Sequence, residues 1–267
     1  MRPDQPGVLA PGTTISTTAR IEGELVYAIG DVHGRYDLLA RLLSLITVDI
    51  RARGHGRRPV LVFCGDYIDH GPDAAKVLAT LVWIRNHADF ETHFLRGNHE
   101  QLLLDYLKDP TQARAWLQVG GGATLRSYGV EPPGPYTLEH WRARSELLEA
   151  MPASHLWLLQ DLPLSLQIGD YLFVHAGVRP GVPMHKQRQD DLLWIREEFL
   201  DHDGKFEKVV VHGHGWDDER PVLLDHRIGI DTGAYATGVL TAVRLEDGAL
   251  EYMQAREDDP GASPPGS

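Results

Sequence analysis

The sequence predicts an α/β protein in which two mixed sheets pack together with helices on their outer faces, a four-layer αββα sandwich with a mostly helical cap insertion. Two observations support this prediction. In the first half, short apolar runs alternate with amphipathic segments of helical spacing, which is the pattern of parallel βαβ units. In the second half, apolar runs follow one another with one clear helix among them, which is typical of a more antiparallel sheet.

Three strand–helix pairs make up the first half of the prediction. Each strand is a short apolar run that ends in glycine, and each following segment has apolar residues at helical spacing. The expected strands are residues 24–30, 59–65 and 91–97, and the expected helices are residues 37–46, 74–86 and 100–107. Because each helix returns the chain to the same edge of the sheet, the three strands should run parallel.

The cap is expected over residues 108–160, where the strand signals fade. Helical segments around 112–118, 137–150 and 153–160 are separated by GGG at 120–122 and PPGP at 132–135. Four tryptophans fall in helical apolar patterns and are expected in the core: Trp116, Trp141, Trp157 and Trp194.

The second half should be rich in strands. The expected strands are residues 162–168, 170–177, 208–213, 227–231, 238–245 and 249–254, with one helix at residues 191–200. Residues 21–255 therefore form one domain, with the cap inserted in it. Residues 1–20 are rich in Pro, Gly and Thr and should form a loose arm, and residues 256–267 should form a disordered tail.

The composition excludes several classes of protein. The 267 residues include 26 Lys and Arg and 38 Asp and Glu, a formal net charge of −12. This charge argues against general binding to nucleic acid or to anionic membranes, which depends on summed positive charge. The single cysteine, Cys64, excludes an intrachain disulfide framework and should be a small buried hydrophobic residue. No apolar run is long enough for a signal peptide or a membrane span, so a cytoplasmic protein is expected.

Residues able to bind metal follow five of the predicted strands, with glycine beside them each time. The five groups, in chain order, are Asp31 and His33; Asp66 and Asp69; Asn98, His99 and Glu100; His175; and His212 and His214. In α/β sheets, functional groups gather beyond the carboxyl ends of the strands. Five neighbouring strands would therefore bring these side chains into one small volume.

The types of donor indicate the kind of site. Imidazole nitrogens and carboxylate or amide oxygens, without thiolates, suit Mn, Fe, Zn, Co or Ni rather than a cysteine-rich structural zinc site. Two such ions about 3.5–4 Å apart, sharing a carboxylate and a water, are a known device for in-line attack on phosphorus. The shared ligand must be a carboxylate, and Asp66 is the candidate. Each motif alone could be an ordinary turn, helix cap or strand end, but chance is a poor explanation for all five together.

The motifs resemble those of a known family. GDVHG (30–34), GDYIDHG (65–71), GNHE (97–100), VHAG (174–177) and VHGH (211–214) are similar to the signature set of the phosphoprotein phosphatases, which are calcineurin-like metallophosphoesterases. The resemblance extends over about residues 24–255. The segments GGGATLRSYG and LLWIREEFL are similar to those of the short bacterial serine/threonine phosphatase branch.

The resemblance implies a role for each motif residue. Asp31 and His33 would bind the first metal, and Asp66 would bridge the two metals. Asn98, His175 and His214 would complete the second site, with His214 preferred over His212. His99 would be the general acid that protonates the leaving alkoxide, with Asp69 as its orienting partner. Manganese is the first expectation for the two divalent ions.

One position departs from the family pattern. The sixth residue of GDxxDRG is usually an arginine that holds the phosphoryl oxygens, and here it is His70. Arginine is always charged and binds phosphate with two donors, whereas a neutral histidine offers one. Phosphate binding should then be weaker or more pH-dependent, or another cation must contribute. Arg196 is the best candidate, unless it is an ordinary surface residue of its helix; Arg35 and Arg96 are less favoured. Asn98 should also contact the phosphate.

The expected function is hydrolysis of phosphomonoesters at a two-metal site. The resemblance implies a phosphorylated protein as substrate, on serine, threonine or tyrosine, with small phosphoesters also accepted. A first alternative is hydrolysis of dinucleoside polyphosphates or phosphodiesters, because a related branch with similar motifs acts on dinucleotides. A second alternative, suggested only by His70, is a phosphate-binding pseudophosphatase. Tyr235, in the DTGAYATG segment, could line the cleft.

Overall fold

The structure is a computed structural model that describes residues 10–111 and 114–259. The ends of the predicted arm and tail, residues 1–9 and 260–267, lie outside the described residues, as do residues 112–113 in the cap. None of the helices in the described ranges combines the length and the apolar character needed to cross a membrane.

The first sheet has six strands. In spatial order they are β1 (Ile15–Ser16), β11 (Ala249–Arg256), β10 (Val239–Glu246), β2 (Val26–Ile29), β3 (Val60–Phe63) and β4 (Glu91–Phe94). Strands β2, β3 and β4 are parallel, as predicted, and β10 joins them antiparallel to β2. Strand β1 pairs antiparallel with β11, so the arm that we expected to be loose is part of the sheet at Ile15 and Ser16.

The second sheet has five strands. In spatial order they are β5 (Ser165–Ile168), β6 (Tyr171–Val174), β7 (Val209–His212), β9 (Arg227–Gly229) and β8 (Val222–Leu223). The central strands β6, β7 and β9 are parallel, while the two edge strands are antiparallel to their neighbours. Both sheets are therefore mixed.

Ten α-helices and one short 3-10 helix, Met184–Lys186, belong to the described structure. The α-helices are α1 (Tyr36–Arg53), α2 (Ala74–His87), α3 (Asn98–Lys108), α4 (Arg114–Trp116), α5 (Gly122–Ser127), α6 (Thr137–Ala150), α7 (Ala153–Gln160), α8 (Gln189–Trp194), α9 (Glu197–Leu200) and α10 (Ala234–Thr237). A kinked π-helical turn, Leu117–Gly121, joins α4 to α5. Every element described between β4 and β5 is helical, from α3 to α7.

The side chains of the strands define the four predicted layers. All four residues of β2 are buried. Because alternate side chains of a strand point to opposite faces of its sheet, both faces of the sheet must be covered at β2. Val26 and Ala28 pack in a cluster with Phe173 and Val211 of the second sheet, whereas Tyr27 and Ile29 pack among residues of α1 and α2. On the far side of the second sheet, a third cluster joins its strands to α8 and α9. The fold is the predicted αββα sandwich.

Two local expectations were wrong. The helix expected at residues 191–200 is broken at Ile195 and Arg196, where Arg196 takes φ −131° and ψ −97°. Of the four tryptophans expected in the core only Trp116 is buried, while Trp141, Trp157 and Trp194 are exposed. Apolar spacing alone did not distinguish a helix face that packs on the sheet from one that faces solvent.

Candidate metal centre

The predicted site residues meet beyond the carboxyl ends of parallel strands. Asp31 follows β2, Asp66 follows β3 and Asn98 begins α3 after β4. In the second sheet, His175 comes directly after β6 and His214 lies two residues after β7. Strands β2, β3 and β4 are parallel to one another, and so are β6 and β7, so the two sheets present these ends at one edge of the sandwich.

The backbone around the site is strained. Five site residues have positive φ angles: His33 (44°), Asp66 (51°), Asp69 (70°), His70 (61°) and His214 (52°). Non-glycine residues rarely adopt this conformation, and it tends to occur where a functional site requires it. Two glycines allow close approach, because a Cβ at Gly97 would overlap the Asp66 carboxylate and one at Gly213 would overlap the Asp31 carboxylate.

Asp66 lies at the centre of the cluster. Its Oδ2 is 3.4 Å from His33 Nε2 and 3.8 Å from His99 Nε2, while its Oδ1 is 3.5 Å from His175 Nε2. Asp66 is 1% exposed. Burial alone would raise the pKa of this carboxyl, but the imidazoles of His175, His99 and His33 together hold it below its usual range. The carboxylate is therefore ionised and positioned between two groups of histidines.

Two sets of ligand atoms share Asp66. Asp31, His33 and Asp66 form one set, and Asp66, His175 and His214 form the other, with the atoms of each set within 4.8 Å of one another. Asn98 adjoins the second set, since its Oδ1 is 2.7 Å from His175 Nε2. The six predicted ligands are thus brought together as two overlapping sets. His212 is buried outside these sets, where its Nδ1 lies 2.8 Å from the Gly213 carbonyl oxygen.

The residues present fit divalent metal ions. Asp31 Oδ1 is buried and has no hydrogen-bond partner among the residues that the structure describes, which is costly unless a cation or a water satisfies it. His33 Nδ1 lies 2.8 Å from the Ile68 carbonyl oxygen, and His175 Nδ1 lies 2.9 Å from that of Cys64. These carbonyls can only accept hydrogen bonds, so each Nδ1 carries the proton and each Nε2 lone pair faces the cluster, as in a metal ligand.

Burial keeps the histidines of the cluster neutral. It lowers the pKa of His33 to about 3 and, with the nearby His175, lowers that of His214 to about 3. The pKa of His175 is also lowered, again mainly by burial. A neutral imidazole is the form that binds metal, so these side chains need not lose a proton at neutral pH.

A pair of acidic side chains behaves in the opposite way. Burial and the nearby Asp231 and Asp66 raise the pKa of Asp31 well above its usual range. The pKa of Asp231, which follows β9, is raised to about 6, chiefly by burial. The sequence analysis did not select Asp231, although this residue ends a predicted strand and is followed two positions later by a glycine. Without a cation, burial therefore favours the protonated form of Asp31, whereas Asp231 becomes protonated only below about pH 6.

His99 and Asp69 form a hydrogen-bonded pair beside the cluster. His99 Nδ1 is 2.7 Å from Asp69 Oδ2. Burial would lower the pKa of His99, but the carboxylates of Asp66 and Asp69 raise it to about 9 in the metal-free protein. The imidazole is therefore charged at neutral pH and can donate a proton.

The cap holds Asp69 in place. Trp116 Nε1 donates to Asp69 Oδ2 at 2.8 Å, and Thr124 Oγ1 donates to Asp69 Oδ1 at 2.6 Å. The backbone nitrogen of Asp69 also donates to Thr124 Oγ1. Sequence reasoning missed both partners, which are 47 and 55 residues from Asp69 along the chain. The cap is thereby connected directly to the His99–Asp69 pair.

Glu100 supports the turn after β3 rather than the cluster of ligands. Its carboxyl accepts hydrogen bonds from the backbone nitrogens of Asp66 (2.9 Å), Tyr67 (2.8 Å) and Gly97 (2.9 Å). Burial and the nearby Asp66 raise its pKa to about 8. These bonds fix the turn that carries Asp66 against the start of α3.

The candidate cations lie in different surroundings. Arg196 borders a pocket of about 140 Å³ together with His70, His99 and His214, and within residues 10–111 and 114–259 its guanidinium has neither a hydrogen bond nor an ion pair. Arg35 is engaged by Asp37, Glu257 and the Ala234 carbonyl. Arg96 bonds Gln101 and the Gln160 carbonyl. The break between α8 and α9 thus leaves Arg196 as the available guanidinium at the pocket.

The buried imidazoles should make the metal-free protein less stable in acid. The pKa of His214 is about 3 when folded, against 6.5 for an ordinary histidine, so below pH 6.5 the unfolded chain binds a proton that the folded chain excludes. The free energy of unfolding should fall as the pH falls from 6.5 towards 3. We expect metal-free wild type to lose about 1 kcal/mol more than His214→Asn between pH 6 and pH 5, measured by urea unfolding. Equal losses would contradict a neutral His214.

Comparisons with known proteins place the chain among phosphoesterases. The family model described as Calcineurin-like phosphoesterase matches residues 25–232. Serine/threonine-protein phosphatase 1 of Salmonella typhimurium is 29% identical over 230 residues, covering 83% of this chain and 92% of the relative. The symmetrical bis(5'-nucleosyl)-tetraphosphatase of Methylococcus capsulatus is 28% identical over 250 residues, covering 90% of this chain and 72% of the relative. A crystal structure of a candidate diadenosine tetraphosphatase superposes with a TM-score of 0.60 at 21% identity, covering 90% of this chain and 98% of its own.

Proposed function

Since the chain belongs to the calcineurin-like phosphoesterase family and is a hydrolase of phosphoesters, we propose that it is a two-metal phosphatase that removes phosphate from phosphorylated proteins. The observation that carries the proposal is the buried Asp66 carboxylate shared by two sets of ligand atoms, next to the paired His99 and Asp69. We propose phosphoserine and phosphothreonine as the principal targets, with phosphotyrosine also accepted.

We assign the metal ligands as the sequence suggested. Asp31, His33 and Asp66 would hold one ion, and Asp66, Asn98, His175 and His214 would hold the other. When bound, divalent ions at these residues lower the pKa of a water and neutralise charge on the phosphate. Manganese is the first candidate, because histidine nitrogens and carboxylate oxygens without thiolates suit it, as they also suit Fe, Zn, Co and Ni.

The remaining side chains bind the phosphate and move a proton. Arg196 and His70, which line the same pocket, would hold the phosphoryl oxygens together with the Asn98 amide. His99 would donate its Nε2 proton to the leaving oxygen, because its Nδ1 is occupied by Asp69. Asp69 keeps the imidazole charged and correctly aimed, and Trp116 and Thr124 keep Asp69 in position.

Trp116 should affect turnover through Asp69. Trp116→Phe retains most of the buried ring and removes the Nε1 donor. Since a hydrogen bond to a charged group is worth about 1.5–3 kcal/mol, we expect kcat toward a phosphoserine peptide to fall about 10-fold, with little change in KM. Steady-state kinetics test this, with the exposed Trp157→Phe as the control. A raised KM at unchanged kcat would contradict the assignment.

A second candidate function is hydrolysis of dinucleoside polyphosphates. The relative from Methylococcus capsulatus favours it, and so do the partly exposed rings of Trp194 and Trp216 near the pocket, on which a nucleobase could stack. A panel of phosphoserine, phosphothreonine and phosphotyrosine peptides with diadenosine tetraphosphate and added Mn²⁺ separates the two. We expect inorganic phosphate from the peptides at the higher kcat/KM. Release of ADP from the dinucleotide, with inert peptides, would favour the alternative.

A further inference from the structure

The His70 side chain is held at the pocket by ring contacts. Its imidazole centroid lies 4.9 Å from that of His33 and 5.3 Å from that of His99. The ring nitrogens make no hydrogen bond within residues 10–111 and 114–259. The residue is exposed, and its backbone has φ 61°. Something other than a polar partner must fix the direction of this ring.

Tyr235 supplies the largest of these contacts. Its ring stacks on the His70 imidazole, with centroids 4.1 Å apart and planes 11° from parallel. The Tyr235 ring also meets His33 edge-on at 5.2 Å and Trp216 edge-on at 6.2 Å. The Tyr235 hydroxyl makes no hydrogen bond to the described part of the chain. The contact that matters is therefore made by the face of the ring.

The chain segments on either side of the His70–Tyr235 stack approach their neighbours closely at a glycine. Tyr235 sits on α10, whose preceding residue Gly233 has φ 65° and would overlap the Trp216 indole if it carried a Cβ. On the other chain segment, a Cβ at Gly120 would lie 2.9 Å from His70 Nδ1 and 2.8 Å from its backbone nitrogen. The π-helical turn of the cap thus lies against one side of His70, and α10 carries the Tyr235 ring that stacks on its face.

We propose that Tyr235 is a positioning residue that aims His70 at the substrate phosphate. This inference rests on the proposed function. A histidine has fewer donors and a shorter reach than the arginine usual at this position, so its donor nitrogen must be placed in advance to be effective. The stacked tyrosine, which lines the same pocket, provides that placement through its ring face and not through a hydrogen bond.

Three substitutions remove different parts of the His70–Tyr235 stack and should therefore affect phosphate binding differently. Tyr235→Phe keeps the ring and loses only the hydroxyl, Tyr235→Leu loses the stack, and His70→Ala removes the imidazole. Since an aromatic pair is worth about 0.5–1.5 kcal/mol, Tyr235→Leu should raise KM for p-nitrophenyl phosphate and the inhibition constant of inorganic phosphate about 3- to 10-fold. In Tyr235→Phe, both KM and the inhibition constant should stay within about 2-fold of the wild-type values. Tyr136→Leu, at a tyrosine 71% exposed, is the matched control.

A double-mutant cycle tests that Tyr235 acts through His70. In the His70→Ala background, Tyr235→Leu should have an effect of less than about 2-fold, because the group that it positions is gone. An undiminished effect in that background would overturn the proposal, since Tyr235 would then act on the substrate directly. A loss in Tyr235→Phe equal to that in Tyr235→Leu would also overturn it, by assigning the role to the hydroxyl.

A spectroscopic measurement keeps the test independent of turnover. The NMR signal of His70 Cε1–H, assigned by its absence in His70→Ala, should be shifted upfield by the tyrosine ring in wild type and in Tyr235→Phe. It should move downfield in Tyr235→Leu. An unchanged signal would overturn the stack even if no substrate were hydrolysed, whereas an inert wild type with the expected shifts would count against the proposed function alone.

Discussion

Replacing His99 by asparagine is expected to lower kcat for a phosphoserine peptide by about 10²–10⁴-fold, the usual contribution of a general acid. The alkoxide of serine is a poor leaving group and needs the proton that His99 would donate. The p-nitrophenolate ion leaves without a proton, so kcat for p-nitrophenyl phosphate should fall much less. The predicted signature is therefore the difference between the two substrates.

The control for this experiment is His185→Gln, at an exposed histidine away from the pocket. Asp69→Asn should show the same substrate dependence with a smaller loss, because the imidazole remains while its 2.7 Å carboxylate partner is weakened. Equal losses of activity on both substrates would show that His99 acts in binding or folding and not as a proton donor.

Asp66→Asn is expected to abolish activity on every phosphoester, by at least about 10³-fold, because it removes the charge that both ligand sets share. The substitution preserves the shape of a side chain that lies within 4 Å of three imidazoles. We expect equilibrium dialysis against Mn²⁺ to show that the variant binds at most one ion per chain. Kinetics and dialysis together separate loss of metal from loss of chemistry.

Asp190→Asn is the matched control, since that carboxylate is exposed and pairs only with the exposed Arg188 among the described residues. It should retain full activity and metal content. An Asp66→Asn variant that keeps two ions and substantial turnover would mean that the carboxylate does not connect the two ligand sets.

The sequence predicted most of the fold because the apolar runs, the glycines after them and the helical spacing all indicated the same elements. Apolar runs such as Val60–Phe63 are followed within two residues by glycine and then by an amphipathic helix, so local preference and tertiary role coincide. The clustering of the candidate ligands could be predicted for the same reason. Asp31, Asp66 and His175 follow buried parallel strands, and parallel strands bring their ends to one edge.

The features that the sequence did not predict depend on contacts between residues far apart along the chain, which local sequence patterns do not indicate. Trp116 and Thr124 reach Asp69 from the cap, and Tyr235 meets His70 from the other end of the chain. The break at Ile195 and Arg196 contains no Gly or Pro, so helix propensity favoured a continuous helix and tertiary packing overrode it. The exposed Trp141 and Trp157 show the same limit, since periodicity identifies a face of a helix but not what covers it.

The most direct test of the account is the anomalous diffraction of crystals of the protein grown with Mn²⁺. We predict two anomalous peaks per chain on either side of the Asp66 carboxylate, one bordered by Asp31 and His33 and the other by Asn98, His175 and His214. A single peak, or peaks bound by other side chains, would contradict the two-metal centre on which the proposed chemistry depends.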